Sequence, residues 1–352
     1  MTGWWRHAAP QGSVLRLVLV FEGKELVGVA PFFADDPLGI LTRYRVLGAR
    51  CSSRLDLLGR PGMETAVGSA FASALAGASP RPDVVMFEGI ARGSPWPALL
   101  VEEWPGRPPA LRRQFSQPSP NFRLAGLTYE EWFSSKSTNF RQSMRRRLRQ
   151  LKREGASFHM ASTEEEIERG LRFFSRLHHG RWSRRGGSGV LNRRVERMLE
   201  EAGKDLVHDQ RARLWSIDVD GRPISSHLFL SAGGETSYWL GGFDENWARL
   251  QPSIVTILTA IEHAFSVGDV RFDLGTGGQD YKYRLATGED PIDWTLLVPA
   301  GSRSALAHIQ MLPERTRLAA ARRLSPGAKR TIRQIRGRVA GLRHPRGDSA
   351  AG

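Results

Sequence analysis

The sequence has almost no cysteine, no long apolar run and fewer acidic than basic residues. Its single cysteine, Cys51, excludes a disulfide within the chain and a cysteine-cluster metal site, which fits a reducing cytoplasm. The longest apolar runs, such as Leu17 to Phe21, are far shorter than the roughly 20 residues that a membrane helix needs. The first residues lack the charged and apolar regions of a signal peptide. These absences favour a cytoplasmic protein without a transmembrane segment.

The excess of basic residues is confined to two segments. The chain has 51 basic and 36 acidic residues, which gives a net charge of +15. Residues 141–153 hold seven basic residues and no acid, and residues 313–348 hold eleven basic and two acidic residues. These segments carry the whole surplus, so the rest of the chain is nearly neutral. The charge therefore predicts local contacts with anions and argues against a nucleic-acid binder as a whole.

A length of 352 residues with 40% apolar residues allows two folded domains. In the first half, Val14 to Phe33 predicts a hairpin with a tight turn at Glu22-Gly23, and both arms are apolar enough for a covered sheet. A helix is predicted from Pro61 to Ala76, and a short buried strand over Asp83 to Phe87. Seven prolines between Arg92 and Phe122 predict a linker or an irregular crossover.

Three helices are predicted next. Ser137 or Thr138 caps the first, which carries an apolar stripe of Phe140, Met144, Leu148 and Leu151 and the basic residues of 141–153 on its other faces. That basic surface is interpreted either as an RNA or phosphate contact or as a solvated face. A second helix starts at Thr163, with Glu166 in the capping-box position, and ends near residues 178–182. A third covers residues 193–202.

The second half repeats the order of the first. Strands are predicted over 212–219, 223–231 and 236–241, with a type I′ turn at Asp220-Gly221. Pro252 begins an apolar helix that runs to about Val267. A strand over 269–274 leads into the motif VRFDLGTGGQDYKYR, residues 270–284, in which glycines precede a polar cluster, and 294–298 closes the sheet. Both halves read as hairpin, helix, strand and glycine, so the chain is interpreted as two copies of one α/β unit, the first degenerate.

Four segments together resemble N-acetyltransferases of the GNAT type. They are FRQSMRRRLRQLKREG from Phe140, RLHHGRW from Arg176, DGRPISSHLFL from Asp220 and FDLGTGGQDYKYRL from Phe272. More closely, the chain resembles the CelD-type acetyltransferases of cellulose biosynthesis and the related FemAB peptidyltransferases, over about residues 14–300. The resemblance implies an α/β fold with two GNAT-like lobes, each with a mixed, mostly antiparallel central sheet flanked by helices. It places a degenerate lobe and crossover at 1–122, an acyltransferase lobe at 123–300 and a basic amphipathic or partly disordered tail at 301–352.

The function implied by the resemblance is transfer of an acyl group from acetyl-CoA or another acyl-CoA to an amine or hydroxyl. The acceptor is expected to be a small molecule or saccharide in exopolysaccharide or cell-envelope biosynthesis. One alternative is an aminoacyl-tRNA donor, as in FemAB proteins, bound by segments 141–153 and 313–346. A second alternative is a non-catalytic scaffold whose tail lies on an anionic membrane, peripheral at its inner face.

Candidate catalytic residues are Asp280 as general base or acceptor-orienting carboxylate, Tyr281 or Lys282 as stabilisers of the thiolate or oxyanion, and His227. Three of these four residues have a structural alternative. Asp280 could cap a short helix, and Lys282 could be an ion-pair partner, because an unshifted lysine stays charged at neutral pH. His227 could be a satisfied histidine of a strand.

Candidate cofactor residues lie around the helix that Pro252 begins, because free amides at a helix N-terminus bind pyrophosphate. They are Arg249, Pro252, Ser253, Ile254 and Gly241. The glycine-rich pyrophosphate loop usual in the family is absent, and Arg249-Leu-Gln-Pro-Ser stands in its place. Acceptor contacts are expected from two groups: His178, His179, Arg181 and Trp182 at the helix end, where a solvated cap is the alternative, and Gly277 and Gln279 in the motif. No metal-binding spacing occurs.

Overall fold

The computed structural model describes residues 1–36, 40–52, 54–183, 186–301, 303 and 307. Contacts divide them into two compact units. Unit 1 contains Met1–Arg123 and the described residues from Arg271 onward, and unit 2 contains Leu124–Val270. The acyltransferase lobe predicted over 123–300 therefore has its last part, including residues 271–284 of the motif, in unit 1. Apart from residues 301, 303 and 307, the predicted tail at 301–352, with its basic segment 313–346, lies outside the described residues.

Strands and helices alternate along most of the chain. The strands are β1 (Val14–Glu22), β2 (Glu25–Asp35), β3 (Arg43–Val46), β4 (Leu58–Gly59), β5 (Val84–Ala91), β6 (Ala110–Arg123), β7 (Ser157–Met160), β8 (Ala212–Val219), β9 (Arg222–Ala232), β10 (Glu235–Phe243), β11 (Arg271–Asp273) and β12 (Gly288–Val298). The α-helices are α1 (Glu64–Ala76), α2 (Trp96–Glu102), α3 (Tyr129–Ser134), α4 (Thr138–Arg153), α5 (Glu164–Ser183), α6 (Arg193–Val207), α7 (Pro252–Ser266) and α8 (Asp280–Leu285). A π-helical turn covers Trp4–Ala8 and a 3₁₀ helix covers Glu245–Leu250.

The strands of unit 1 follow the order β1-β2-β3-β5-β12-β6-β11, and β4 pairs with β2. The pair β3–β5 is parallel, and the pairs β1–β2, β5–β12, β6–β12 and β6–β11 are antiparallel. The predicted first hairpin is confirmed, with Gly23 in the left-handed region at φ 60°. The covering predicted for both arms is wrong for β1, because one face of this strand is exposed. Val67 and Phe71 of α1 pack with Phe32 of β2 in an apolar core that also contains Trp96.

The proline-rich segment is more regular than predicted. It contains α2 and the 14-residue strand β6 in place of a linker or irregular crossover. The carbonyl oxygens of Pro118 and Pro120 accept hydrogen bonds from the amides of Gly277 and Leu274, at 2.8 and 2.9 Å. The N–H and C=O groups of one strand residue point to the same side of the strand. Pro118 and Pro120 therefore lack an N–H on the side that faces Leu274 and Gly277, and on that side β6 supplies only acceptors. The non-proline residues between them supply the donors toward β12.

The strands of unit 2 follow the order β10-β9-β8-β7, and every neighbouring pair is antiparallel. Asp220 and Gly221 have positive φ angles of 50° and 69°, as a type I′ turn requires. The two faces of this sheet are covered by different helices. Trp239 of β10 contacts Phe174 of α5, whereas Ser225 of β9 hydrogen-bonds to Thr256 of α7 at 2.8 Å.

The predicted helix starts of unit 2 are confirmed. The Ser137 hydroxyl accepts from the Phe140 amide at 3.4 Å at the start of α4. At the start of α5, the Thr163 hydroxyl accepts from the Glu166 amide at 3.2 Å. The chain is thus an α/β protein with mixed, mostly antiparallel sheets flanked by helices, as predicted. Over the described ranges, no helix is both long and apolar enough to span a membrane.

Candidate functional site

Two neighbouring glycines at the end of β10 allow close contacts on both faces of the unit 2 sheet. A Cβ at Gly241 would lie 2.1 Å from Nδ1 of His227 on β9, and a Cβ at Gly242 would lie 2.4 Å from the backbone nitrogen of His178 on α5. Side chains alternate between the faces of a strand, so the His227 ring and the α5 backbone approach β10 from opposite sides. The glycines thus bring two histidines to the same stretch of one strand.

His178 is almost fully buried at the end of α5 and has a defined tautomer. Its Nδ1 lies 3.0 Å from the carbonyl oxygen of Gly241, and its Nε2 lies 2.9 Å from Oγ of Ser188. Because a carbonyl can only accept, Nδ1 carries the proton and Nε2 accepts from the Ser188 hydroxyl. Burial lowers the pKa of His178, so the ring is neutral at pH 7. The geometry gives a neutral imidazole with its basic nitrogen on a half-buried hydroxyl.

The other residues predicted at this helix end are partly collected around His178. The Trp182 ring lies 6.0 Å from the His178 ring, and the Arg181 guanidinium lies 4.7 Å from the centre of the Phe243 ring of β10. His179 turns away from this group, with Nε2 2.7 Å from Oε1 of Glu196 on α6. Three of the four predicted acceptor residues therefore lie near the end of β10. Sequence reasoning missed Ser188, which has no motif around it.

His227 is completely buried, and within the described ranges neither ring nitrogen has a hydrogen-bond partner. Desolvation lowers its pKa to about 3, with smaller contributions from Arg181 and His178. The Tyr238 ring lies 5.5 Å from it on the same sheet face. A group with so low a pKa is neutral at pH 7 and is a weak base. The His227 ring is therefore a buried polar side chain and not a strong proton acceptor.

The turn before α7 contains the predicted cofactor residues. Gln251 has a left-handed backbone, with φ 48°, and its carbonyl already accepts from the Ile254 amide at 3.0 Å. Pro252 has no N–H. Of the residues predicted to bind the cofactor at this helix start, only Ser253 then has a backbone amide without an acceptor among the described residues. The exposed Arg249 lies nearby on the 3₁₀ helix. The predicted set of donors is reduced to one amide and one guanidinium.

The basic helix α4 contacts the same part of unit 2. Its apolar stripe is turned inward, since Met144 and Leu151 are buried, and Leu151 packs with Leu250 and Val255. None of its seven cations forms an ion pair with a carboxylate in the described part of the chain. Burial lowers the pKa of the half-buried Arg147, and the neighbouring Arg146 adds to that effect. The face is therefore a row of cations without internal counterions.

A cavity of about 400 Å³ lies between α5 and strands β7 and β8 and was not predicted. Asp218 and His159 line it, with Oδ2 of Asp218 3.8 Å from Nε2 of His159. Arg169 lies on the same wall, and burial raises the pKa of Asp218. No group of three or more potential metal ligands occurs within the described ranges.

In unit 1, the motif around Gly275 forms a tight loop held by buried charged groups. Lys282 is almost fully buried and donates to the carbonyls of Gly275 and Thr276 at 2.8 and 2.9 Å. Burial lowers its pKa to about 8, against a smaller opposing effect of Asp273. Asp273, which was not among the predicted site residues, accepts from Ser119 and from the Gly275 amide, both at 2.7 Å.

The remaining motif residues have more open positions. Asp280 is exposed in the first turn of α8, where the N-cap residue is Gln279, so Asp280 is not the cap. The Gln279 amide lies over Gly277, whose φ of 107° favours glycine. Tyr281 is half-buried. Residues 271–284 of the motif belong to unit 1, whereas Val270, the hairpin β8–β9 and helix α7 belong to unit 2.

Comparison with known proteins gives one family-model match and supports the fold. Residues 138–283 match the family model described as an acetyltransferase (GNAT) domain. FemX has a TM-score of 0.61 at 13% identity, over 89% of this chain and 93% of that one. L-PGS from Bacillus licheniformis has a TM-score of 0.53 at 14% identity, over 86% and 89%. A C-terminal domain (DUF2156) from Agrobacterium fabrum scores 0.55 at 13% identity, over 84% and 86%. No curated protein matches the sequence.

Proposed function

We propose that the protein is a GNAT-type acyltransferase that moves an acyl group from an acyl-CoA to an amine or hydroxyl. The observation that carries the proposal is the match of residues 138–283 to a GNAT acetyltransferase domain. This range includes the β9–β10 hairpin with its glycines and the start of α7. The finer features, namely acetyl-CoA as donor, a saccharide or envelope precursor as acceptor and a cytoplasmic location, are part of the proposal.

The donor contacts follow from the start of α7. The Ser253 amide is oriented by the helix and has no acceptor among the described residues, and the positive end of a helix favours an anion. Arg249 adds a full positive charge two residues before Gln251. Together they would bind the phosphates of the nucleotide part, while Gly241 leaves the backbone of β10 accessible to the pantetheine arm.

Proton transfer is assigned to His178 through Ser188. An attacking amine or hydroxyl must lose a proton, and a neutral imidazole accepts it when its pKa lies near or below the working pH. His178 is neutral, its Nδ1 proton is fixed by the Gly241 carbonyl, and its Nε2 is aimed at the Ser188 hydroxyl. The acceptor would displace the longer of the two amide donors to Ser188, the Val190 amide at 3.3 Å, and Ser188 would then take the acceptor's proton while giving its own to Nε2. Arg181 and Trp182 would contact the acceptor.

Lys282 and Asp280 of the motif have roles other than proton transfer. Lys282 is assigned to holding the 275–276 loop, because its ammonium donates to two carbonyls there. Asp280 is exposed and stays a candidate acceptor-orienting carboxylate. An Asp280→Asn variant with unchanged turnover would remove that role.

The first experiment is calorimetry with acetyl-CoA and CoA. We expect binding of both, weakened about tenfold or more by Arg249→Ala, because a phosphate contact by a cation contributes roughly 1.5 kcal/mol or more. The exposed Arg172→Ala on α5 is the matched control. Absence of binding at millimolar ligand would remove the acyl-CoA proposal.

The second experiment measures CoA release with a panel of amine and hydroxyl acceptors. Ser188→Ala and His178→Gln should each lower turnover about 100-fold, the usual contribution of a positioned acid–base group. Since burial lowers the pKa of His178, turnover should fall only as the pH drops below its ordinary value of 6.5. Circular dichroism would check the fold of each variant. Full turnover in folded Ser188→Ala would refute the relay.

Aminoacyl-tRNA as donor is the second candidate, favoured by the cations of α4 that lack carboxylate partners. Reversing Arg145, Arg146 and Arg149 to Glu should weaken tRNA binding and reduce the slope of log K against log salt by about 0.7–0.9 per lost phosphate contact. Arg172→Glu on α5 is the control. If tRNA does not bind at low salt, this donor is excluded.

A further inference from the structure

The first strand of unit 1 has an open edge. β1 is the terminal strand in the order of the unit 1 sheet, and it pairs along its nine residues with β2. No other strand within the described ranges pairs with it. Its outer edge therefore presents backbone N–H and C=O groups to a potential partner strand.

An apolar row lies along this edge. Leu15, Leu17, Leu19 and Phe21 are exposed by 37%, 47%, 47% and 56%. They are spaced two residues apart, so they share one face of the strand. Single exposed apolar residues are ordinary, but a contiguous row beside an open edge marks an interaction surface.

The edge has few of the devices that usually prevent strand pairing. Natural edge strands are kept apart by short length, proline, or charged residues on the inward face. β1 has nine residues and no proline. Its inward face, on which Val18 and Val20 pack against the core, carries Arg16 within the strand and Glu22 at its end, and its pairing with β2 shifts register once, between Val20 and Phe21. By contrast, β7, at the end of the unit 2 sheet order, has four residues and contains a histidine.

We propose that β1 pairs in antiparallel fashion with β1 of a second copy of this chain. The sequence VLRLVLVFE fits its own reverse when the twofold axis passes through Val18. In that register Leu15 faces Phe21 of the other copy and Leu17 faces Leu19, so the apolar rows match.

The charges at the strand ends also match in this register. Arg16 lies diagonal to Glu22 of the other copy, close enough for attraction between neighbouring strands. A twofold interface must be self-complementary in this way. The pattern therefore favours a second copy over an unrelated peptide. Pairing with an unrelated peptide would not require the sequence of β1 to be self-complementary.

Light scattering coupled to size exclusion tests the proposal with the full chain. We expect a dimer at high micromolar concentration. A Leu17→Lys/Leu19→Lys variant places lysines opposite each other across the axis and should weaken association roughly 100-fold or more, because facing like charges are strongly unfavourable. Both side chains are exposed in the single chain, so its melting temperature should not change. Leu58→Lys, on the exposed β4, is the matched control and should stay dimeric.

Crosslinking tests the register itself. In a Cys51→Ser background, Val18→Cys places the two thiols directly opposite each other, and oxidation should give a covalent dimer. Arg16→Cys is the control, because in this register its two copies are roughly 14 Å apart, too far for a disulfide. A monomeric wild type, a dimer unaffected by the two lysines, or equal crosslinking at 16 and 18 would each overturn the proposal.

Discussion

The two hairpins β1–β2 and β8–β9 share an acidic-glycine-basic turn but bury different residues. Counted from the turn, Val27, Gly28 and Val29 of β2 correspond to the polar run 225–227 of β9. In β9 these are two serines and His227, all completely buried. Polar groups are costly to bury without full hydrogen bonding. The two hairpins therefore differ in the chemistry of their buried side chains as well as in sequence.

Both units bury paired charges, in unit 2 Arg213 with Asp269 at 2.6 Å and in unit 1 Arg45 with two carboxylates. Arg45 donates to both carboxylate oxygens of Glu88 at 2.6 and 2.7 Å and to Asp35 at 3.3 Å. His227 has no such partner among the described residues. Natural sequences tolerate such local conflicts mainly at functional sites. The unpaired His227 makes the hairpin of unit 2 the stronger candidate for a functional site.

The largest effect should come from breaking the paired charges of unit 1. Arg45→Met keeps the side-chain volume but leaves Glu88 without its cation and Asp35 with Arg43 alone, which should lower the free energy of unfolding by about 3–5 kcal/mol. Urea unfolding followed by tryptophan fluorescence measures it. His227→Leu, the matched change in unit 2, should cost nothing at pH 7. Equal losses in the two variants would refute the distinction between paired and unpaired polar groups.

A smaller effect is expected from adding one methyl group to a glycine of each unit. Gly242→Ala brings a Cβ to 2.4 Å from the His178 backbone, which cannot rotate away, and should cost about 3 kcal/mol. At Gly28 the nearest atom is Cγ1 of the Val67 side chain, at 2.5 Å, which can shift, so Gly28→Ala should cost about 1 kcal/mol. Thermal and urea unfolding compare them. A larger loss at Gly28 would contradict the packing described for α5 on β10.

The third prediction concerns pH and His227. Its pKa is about 3 in the folded chain, against an ordinary value of 6.5, so only the unfolded chain takes up this proton as the pH falls below 6.5. The wild type should therefore lose stability through that window, by about 2 kcal/mol between pH 7 and pH 5. His227→Leu removes this contribution, and its advantage over the wild type should grow by that amount. Val29→Leu in hairpin β1–β2 is the control, and a gap that does not change with pH would refute the assignment.

The smallest effect should follow from replacing Ser225 of β9 by valine, the residue type at the corresponding position of β2, Val27. In Ser225→Val the hydrogen bond to Thr256 is lost, but the Thr256 hydroxyl still donates to the Pro252 carbonyl at 2.9 Å. No polar atom is left unsatisfied, so the change in unfolding free energy should stay within about 1 kcal/mol. Urea unfolding checks it, and a loss above 2 kcal/mol would show that Ser225 has a further structural role.

Local signals predicted much of this architecture. The turn at Asp220-Gly221, the caps at Ser137 and Thr163 and the stripe of α4 depend on residues close in sequence, and these predictions are confirmed. The regular strand β6 was missed because its prolines read as breakers, and the segment 274–277 that makes them acceptable lies more than 150 residues later.

The same distinction applies to the candidate site. His178 was identified from its own motif, but the Ser188 hydroxyl and the Gly241 carbonyl that fix its tautomer come from other elements. The tight packing at Gly242 also depends on α5, which lies far away in sequence. Single residues could be predicted where their type was distinctive. Their partners could not, because the fold alone brings them together.

The division of unit 1 into two chain segments has a consequence for synthesis on the ribosome. Strand β12 pairs with β5 and β6, and Arg92 bonds Asp293 across 201 positions in the sequence. All of Leu124–Val270 must therefore be translated before the sheet of unit 1 can be completed. At about 5–20 residues per second, β5 and β6 wait roughly 8–35 seconds for that partner. During this interval the nascent first segment exposes unpaired strands, so unit 2 can fold before the unit that begins the chain.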